Sequence, residues 1–136
     1  MNFLCDTNVI SELMKPLANE SVIDWLRKHQ QFHISVITVE EIHCGLANRD
    51  ARIQLHWFER FCDSHCVIYP VTKDVAIHSG MLRGQLRSKG EVRHQADLII
   101  AATAILNDLI VATRNTKDFE SCGVPLFNPF TDILSR

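Results

Sequence analysis

Glycine and proline are scarce in this sequence, with five glycines and four prolines among 136 residues. No two glycines are grouped, so the chain lacks the glycine-rich loops that hold phosphates in P-loop proteins and dinucleotide-binding folds. It also lacks a recognisable arrangement of Ser, His and Asp for nucleophilic catalysis. These absences exclude the common nucleotide-binding enzymes and the serine hydrolases from the candidate functions.

Long apolar runs are missing as well. The longest covers residues 98–106 and is broken by Thr103, whereas a membrane span needs about 18 to 20 apolar residues. Asp6 lies where a signal peptide would be apolar. Apolar residues still make up 46% of the chain, which is enough for a hydrophobic core. We therefore expect one soluble domain over residues 1–136, located in the cytoplasm and without a membrane partner.

The five cysteines do not form a disulfide pattern, because their number is odd and they are scattered along the chain. Cys62, His65 and Cys66 could be imagined as a zinc cluster. A structural zinc site needs four ligands, usually in two separated pairs, and the sequence has no second pair. Reduced thiols are the favoured interpretation.

The net charge of −2 gives no sign of a nucleic-acid partner. Basic residues nevertheless cluster within one short segment that contains a single acid, Glu91. The cluster consists of Arg83, Arg87, Lys89, Arg93 and His94. It is either a solvated helix end or a surface that contacts substrate phosphates.

Predicted strands and helices alternate along the chain. Strands are predicted at residues 3–5, 32–36, 67–69, 109–112 and 125–127. Helices are predicted at residues 9–15, 20–30, 39–48 (with Thr38 as its cap), 51–64, 73–88 and 95–107, with a helical turn at 115–119. This alternation predicts an α/β fold with a central parallel sheet of about four to five strands flanked by helices.

Acidic residues follow the predicted strands or begin the predicted helices. They are Asp6, the pair Glu40 and Glu41, Asp97 and Asp118. Each alone could be a helix cap, but ligands of parallel sheets gather at the carboxyl ends of the strands. Converging carboxylates would repel one another unless a hard cation such as Mg²⁺ or Mn²⁺ bound them. Such a site can hydrolyse phosphodiesters. Periodicity alone does not choose between Glu40 and Glu41.

Five segments, in order, resemble PIN-domain proteins, especially the VapC-type and FitB-like toxins. They are LCDTNVISE at residues 4–12, SVITVEEIHCG at 35–45, ADLIIAATA at 96–104, VATRNTKDF at 111–119 and VPLFNPF at 124–130. The resemblance covers nearly the whole chain and implies a PIN domain, an α/β/α sandwich.

The resemblance implies roles for individual residues. Asp6 and Asp97 would be the main metal ligands, and Glu41 rather than Glu40 falls on the family's acid. At the place of the family's fourth acid this chain has Asn115. Asp118, three positions later, would supply that charge directly or through water, while Asn115 would order the site through hydrogen bonds or simply cap a helix.

Other matched positions would support the acids: Thr7 and Asn8 in the floor of the site, and Thr113 beside it. The same resemblance implies a Mg²⁺- or Mn²⁺-dependent endoribonuclease toxin that cleaves RNA, often tRNA or rRNA. It also implies a homodimer and a cognate VapB-like antitoxin. The protein would contact DNA only through this antitoxin.

Three readings remain open within this resemblance. The first is the metal-dependent endoribonuclease. The second is a catalytically weak PIN scaffold that binds an antitoxin or RNA, which Asn115 keeps possible, and the third is a nuclease acting on DNA. Arg87 and Arg93 are expected to touch substrate phosphates, or else an acidic face of the antitoxin or of a second copy.

Overall fold

A six-stranded sheet forms the centre of the fold in the computed structural model, which describes residues 2–47, 49–131 and 133–135. The strand order is β3-β2-β1-β4-β5-β6. The strands are β1 (Phe3–Cys5), β2 (Phe32–Ser35), β3 (Cys66–Tyr69), β4 (Ile110–Ala112), β5 (Leu126–Asn128) and β6 (Ile133–Ser135). The first five in that order are parallel, which confirms the predicted α/β class, and β6 is antiparallel to β5.

Helices cover both faces of the sheet. They are α1 (Thr7–Glu12), α2 (Glu20–Arg27), α3 (Val36–Leu46), α4 (Arg52–His65), α5 (Lys73–Ser88), α6 (Gln95–Leu106) and the 3₁₀ helix Thr116–Phe119. Successive residues of a strand point to opposite faces. Accordingly, Cys5 packs with core residues of α1 to α4, and Leu4 packs with those of α5 and α6. The predicted α/β/α sandwich is therefore confirmed. Within the described ranges, no helix is both long enough and apolar enough to cross a membrane.

Two predicted helices begin elsewhere than expected. The helix predicted at residues 9–15 runs from Thr7 to Glu12, because the Asp6 carboxylate caps it by accepting the Thr7 N–H at 2.8 Å. After Glu12 the chain continues in tighter turns, such as Lys15 N–H to the Glu12 carbonyl at 3.2 Å. The prediction placed the cap too late, although Asp6 was among the proposed capping residues.

The helix predicted at residues 39–48 begins at Val36 and ends at Leu46. Its predicted end, Asn48, lies outside the described residues. Thr38 is not its cap, because β2 passes into α3 without a loop and the Ser35 hydroxyl accepts the Ile37 N–H at 3.0 Å. The remaining predicted elements agree with the structure to within one residue, except that α2 ends three residues early.

The strand order places a crevice at the carboxyl end of β1. Strands β2 and β3 lie on one side of β1, and β4 and β5 lie on the other. Ligands of open α/β sheets bind where the strand order reverses in this way. Pairing continues past the strand ends, since the Asp6 N–H donates to the Ala112 carbonyl and the Thr113 N–H donates to the Phe127 carbonyl, both at 2.9 Å. Asp6 and Thr113 therefore lie side by side at this edge.

Candidate active site

Asp6 lies at the centre of the crevice and is only 6% exposed. One carboxylate oxygen, Oδ1, accepts the Thr7 N–H at 2.8 Å. The other, Oδ2, accepts the Thr113 hydroxyl at 2.8 Å and the Asn8 side-chain amide at 3.2 Å. These bonds fix the carboxylate and occupy three of its roughly four lone-pair positions. One position is left for a further ligand.

Burial raises the pKa of the Asp6 carboxyl above its ordinary value. The hydrogen bonds from Thr113 and Thr7 favour the ionised form and lower the pKa in part. The negative charges of Glu41 and Asp118 raise the pKa again, so the acids are close enough to repel one another.

Glu41 reaches the crevice from α3. Its Oε1 accepts the Thr7 hydroxyl proton at 2.7 Å. The Thr7 oxygen is also 3.2 Å from the Thr38 hydroxyl, and because Thr7 has a single hydroxyl proton, Thr38 donates to Thr7. Glu40 is exposed, whereas Glu41 lines the crevice. The structure therefore brings Glu41, not Glu40, to the other acids.

Asp97 lies in the first turn of α6 and is not its N-cap, which is His94. Burial raises the pKa of the Asp97 carboxyl to about 6, and the negative charges of Asp6 and Asp118 add to this effect. The carboxylate is thus held among like charges, in the first turn of the helix rather than at its N-cap position. Its interpretation as a simple cap is wrong.

The segment after β4 supplies the last acid. Asn115 occupies the N-cap position of the 3₁₀ helix, in agreement with its interpretation as a helix cap, although its side chain makes no capping bond. Its backbone N–H donates to the Thr113 hydroxyl oxygen at 3.0 Å. Asp118 follows within the 3₁₀ helix, and both Asn115 and Asp118 line the crevice.

One cavity of about 390 Å³ contains all four predicted acids, brought together from different elements. Its remaining lining residues are Thr7, Asn8, Ser11, Glu12, Lys15, Arg114 and Asn115. Four of these, namely Ser11, Glu12, Lys15 and Arg114, were not predicted from the sequence. Ser11 and Glu12 follow Thr7 and Asn8, respectively, by four residues, and Lys15 follows them by eight and seven. These helical spacings from two predicted site residues were a signal that could have found them.

The sequence matches the PIN domain family over residues 3–123. The chain belongs to the PIN-domain family. This span contains every acid of the cavity and four of the six strands.

Named relatives of this PIN domain align over almost its whole length. Toxin FitB of Neisseria gonorrhoeae is 37% identical over 139 residues, covering 95% of this chain and 99% of that protein. VapC ribonuclease Y4jK of Sinorhizobium fredii is 33% identical over 133 residues, covering 92% and 95%. A solved structure of DNA-bound VapBC from Salmonella typhimurium has a TM-score of 0.81 and 27% identity, covering 95% of this chain and 98% of that chain.

The donor set of this PIN domain fits a hard divalent cation. Mg²⁺ and Mn²⁺ bind carboxylate oxygens and retain water ligands. Burial, and to a smaller extent the neighbouring acids, raise the pKa values of Asp6 and Asp97, and a bound cation would offset both effects. Among the described residues, no group of three or more His, Cys, Asp or Glu side chains is already placed to hold a metal ion. The fit therefore rests on the type of donor atoms that line the cavity, with water completing the coordination.

Arg87 and Arg93 do not lie in the acidic cavity of the PIN domain. Arg87 is exposed on α5. Arg93 donates to the Glu120 carbonyl at 3.3 Å and lies 3.9 Å from the Glu91 carboxylate. Arg93 thereby links the loop before α6 to Glu120, which follows the 3₁₀ helix. The basic side chains at the cavity itself are Lys15 and Arg114.

Thr113 connects the acids to the sheet, and its removal should cost stability. The side chain is fully buried and joins Asp6 to the backbone of Asn115. Thr113→Val keeps the shape but removes a hydrogen bond to the buried Asp6 carboxylate and the acceptor of the Asn115 N–H, which should lower the free energy of unfolding by about 1–3 kcal/mol. Urea denaturation measures the change.

Thr103→Val is the matched control for this substitution. Thr103 is equally buried, but its hydroxyl donates only to the Ile99 carbonyl within α6. Because that carbonyl already belongs to the helix, we expect a loss of less than about 1 kcal/mol. Equal stability of Thr113→Val and the unchanged protein would contradict the connecting role of Thr113.

Proposed function

We propose that this PIN domain is a Mg²⁺- or Mn²⁺-dependent endoribonuclease, the toxin of a toxin–antitoxin pair, which hydrolyses phosphodiester bonds of RNA, with tRNA or rRNA as target. The observation that carries the proposal is the meeting of Asp6, Glu41, Asp97 and Asp118 in one cavity at the carboxyl edge of the sheet. Relatives named as a toxin and as a VapC ribonuclease support it.

The chain's own residues would prepare the site in distinct ways. Asp6 and Asp97 would be the main metal ligands, with Glu41 and Asp118 completing the acidic set. Thr113 and Asn8 hold the Asp6 carboxylate, and Thr7 holds Glu41. When bound, the cation supplies an activated water and neutralises charge on the phosphate. Fixing carboxylates in advance in this way lowers the reorganisation needed during reaction.

The structure gives less support to the two alternative functions, the catalytically weak scaffold and the nuclease acting on DNA. The catalytically weak scaffold depended on Asn115 replacing an acid, but Asp118 lines the same cavity and restores a fourth carboxylate. Single-turnover cleavage of an RNA oligonucleotide and of the matched DNA, each in Mn²⁺ and in EDTA, separates the three. Cleavage of RNA in Mn²⁺ alone supports the endoribonuclease. Cleavage of neither substrate supports the scaffold, and cleavage of DNA supports the third reading.

The partners in this proposal are an RNA substrate, a second copy of the chain in a homodimer and a VapB-like antitoxin. The DNA-bound VapBC assembly, whose toxin-like chain superposes on this one, supports contact with DNA through the antitoxin alone. The proposed location is the cytoplasm, where RNA and the antitoxin are made.

Divalent cations should raise the melting temperature of the purified protein. An ion that binds only the folded acids stabilises by mass action, by about 2.7 kcal/mol at a hundredfold excess over its Kd. For a chain of this size that corresponds to a shift of about 8 °C. Thermal denaturation with millimolar Mn²⁺ or Mg²⁺, and again after EDTA, measures it. An unchanged melting temperature would count against a shared metal site.

A further inference from the structure

A second cavity continues the acidic one along the surface. It has a volume of about 310 Å³ and shares three lining residues, Ser11, Lys15 and Glu41, with the acidic cavity. The two cavities therefore form one cleft, which passes along the second half of α3 and on towards α4. The second cavity ends at Arg49 and Gln54.

Basic side chains line both parts of this cleft. Arg114 lines only the acidic cavity, Lys15 lines both cavities, and Arg49 lines only the second. Lys15 and Arg114 both lower the pKa of the Glu12 carboxyl, so they lie at the same part of the acidic cavity. A strand that placed one phosphate at the acids and continued into the second cavity would meet Lys15 and then Arg49.

These cations are available to a ligand to different degrees. Lys15 pairs with the buried Glu12 carboxylate at 2.9 Å, but its side chain is 54% exposed, and an ammonium group has two further protons to donate. The Arg114 guanidinium lies 5.0 Å from the centre of the Phe130 ring, which holds it in place. Arg49 is exposed and takes no part in the ion pairs formed among the described residues.

Part of the wall of the second cavity is apolar. Met14 and Pro16 line it together with the edges of the buried Ile42 and Leu46. An apolar wall in a concave site can contact the face of an unstacked base. Single-stranded RNA exposes such faces, whereas a duplex does not. The combination of spaced cations and an apolar wall matches a strand with phosphates on one side and bases on the other.

We propose that the Lys15–Arg49 cavity is a second RNA subsite, which binds the nucleotide next to the scissile phosphate of a single-stranded segment through its backbone phosphate. This inference rests on the proposed function, since it names how the same site holds its substrate. Phosphate contacts carry no sequence information, so the subsite adds affinity and register rather than base preference.

The test measures binding instead of cleavage. The Asp97→Asn protein, with and without Arg49→Ala, is titrated with a fluorescent oligouridylate long enough to span both cavities, over a series of salt concentrations. Each lost phosphate contact of a single strand should reduce the slope of log K against log salt by about 0.7. We expect that reduction and a severalfold weaker affinity for Arg49→Ala, but no change for a dinucleotide, which fills only the acidic cavity.

Two matched variants make the result specific. Arg49→Lys keeps the charge and should keep the slope. Arg60→Ala removes the same charge from an exposed position on α4 that lines neither cavity, so its slope should equal that of the parent. An unchanged slope for Arg49→Ala, or an equal loss for Arg60→Ala, would overturn the subsite.

Other outcomes point to different errors. If Arg49→Ala binds RNA normally but loses a co-purified antitoxin, the cavity belongs to the protein partner and the subsite is wrong. Cleavage of RNA by the unchanged protein is measured in parallel. If that protein binds but cleaves nothing in Mn²⁺, the proposed function fails while the slope still reports on the subsite.

Discussion

Asp97→Asn should abolish RNA cleavage while leaving the fold intact. The substitution removes one of the two main proposed metal ligands but keeps the size of the side chain. Stabilisation of charge by a bound metal is worth several kcal/mol, and about 4 kcal/mol corresponds to roughly a thousandfold in rate. Single-turnover cleavage in saturating Mn²⁺ measures the loss. A rate equal to that of the unchanged protein would show that the site has been assigned to the wrong residue.

The stability of the metal-free protein supplies the control for Asp97→Asn. The pKa of Asp97 is raised to about 6 in the folded state, compared with an ordinary value near 3.9. The folded state therefore binds more protons between about pH 4 and pH 6, and its stability should fall as the pH rises through this range. Asn does not titrate, so the variant should lose the part of the pH dependence of stability that is due to Asp97. At pH 7 the variant should be at least as stable as the unchanged protein. A variant that unfolds at pH 7 would make its inactivity uninformative.

Glu41→Gln should reduce cleavage far more than Glu40→Gln. The two residues are adjacent, yet Glu41 lines the cavity and accepts the Thr7 hydroxyl, whereas Glu40 is exposed. Loss of the Glu41 charge should cost about a hundredfold, or roughly 2.7 kcal/mol. Loss of the Glu40 charge should change the rate by less than about twofold, because a single exposed charge has little effect in high dielectric.

Each member of the Glu40 and Glu41 pair is the control for the other, because both substitutions remove one charge from the same turn of α3. Gln at position 41 can still accept the Thr7 hydroxyl proton, so the melting temperature without metal should not fall. Equal rates for the two variants would remove the reason for choosing Glu41. A loss confined to Glu40→Gln would place the acidic site on the wrong face of α3.

Much of the fold could be predicted because the sequence carries strong local signals. The apolar run that precedes Asp6 and the long apolar segment of α6 each specify one element. Strand β6 was missed although it is no shorter than β1, β4 and β5. It becomes a strand by pairing with the edge strand β5 in the antiparallel direction, which the alternation of strands and helices did not indicate. The start of α3 was missed because Val36 has the side chain of a strand residue but follows the capping Ser35 directly.

The candidate site was predictable to the extent that its residues lie in motifs. The four acids and Thr113 fall within the quoted segments, and the structure brings them together. Arg93 was expected at substrate phosphates or at the face of a partner, and it donates to the Glu120 carbonyl outside the acidic cavity. Nearness in sequence to Asp97 does not fix the direction of a long side chain. Arg114 was missed because only the meeting of α1 with the end of β4 places it at the acids.

The central position of β1 also determines when the protein could first act during its own synthesis. Asp6 directly follows β1, but its neighbour Thr113 follows β4, which pairs with β1 only after more than a hundred further residues have been added. Asp97 and Asp118 likewise come from α6 and the 3₁₀ helix. A growing chain that stops before α6 carries only two of the four acids. The proposed nuclease therefore stays incomplete until the 3₁₀ helix has left the ribosome, and copies that stop earlier would lack part of its acidic set.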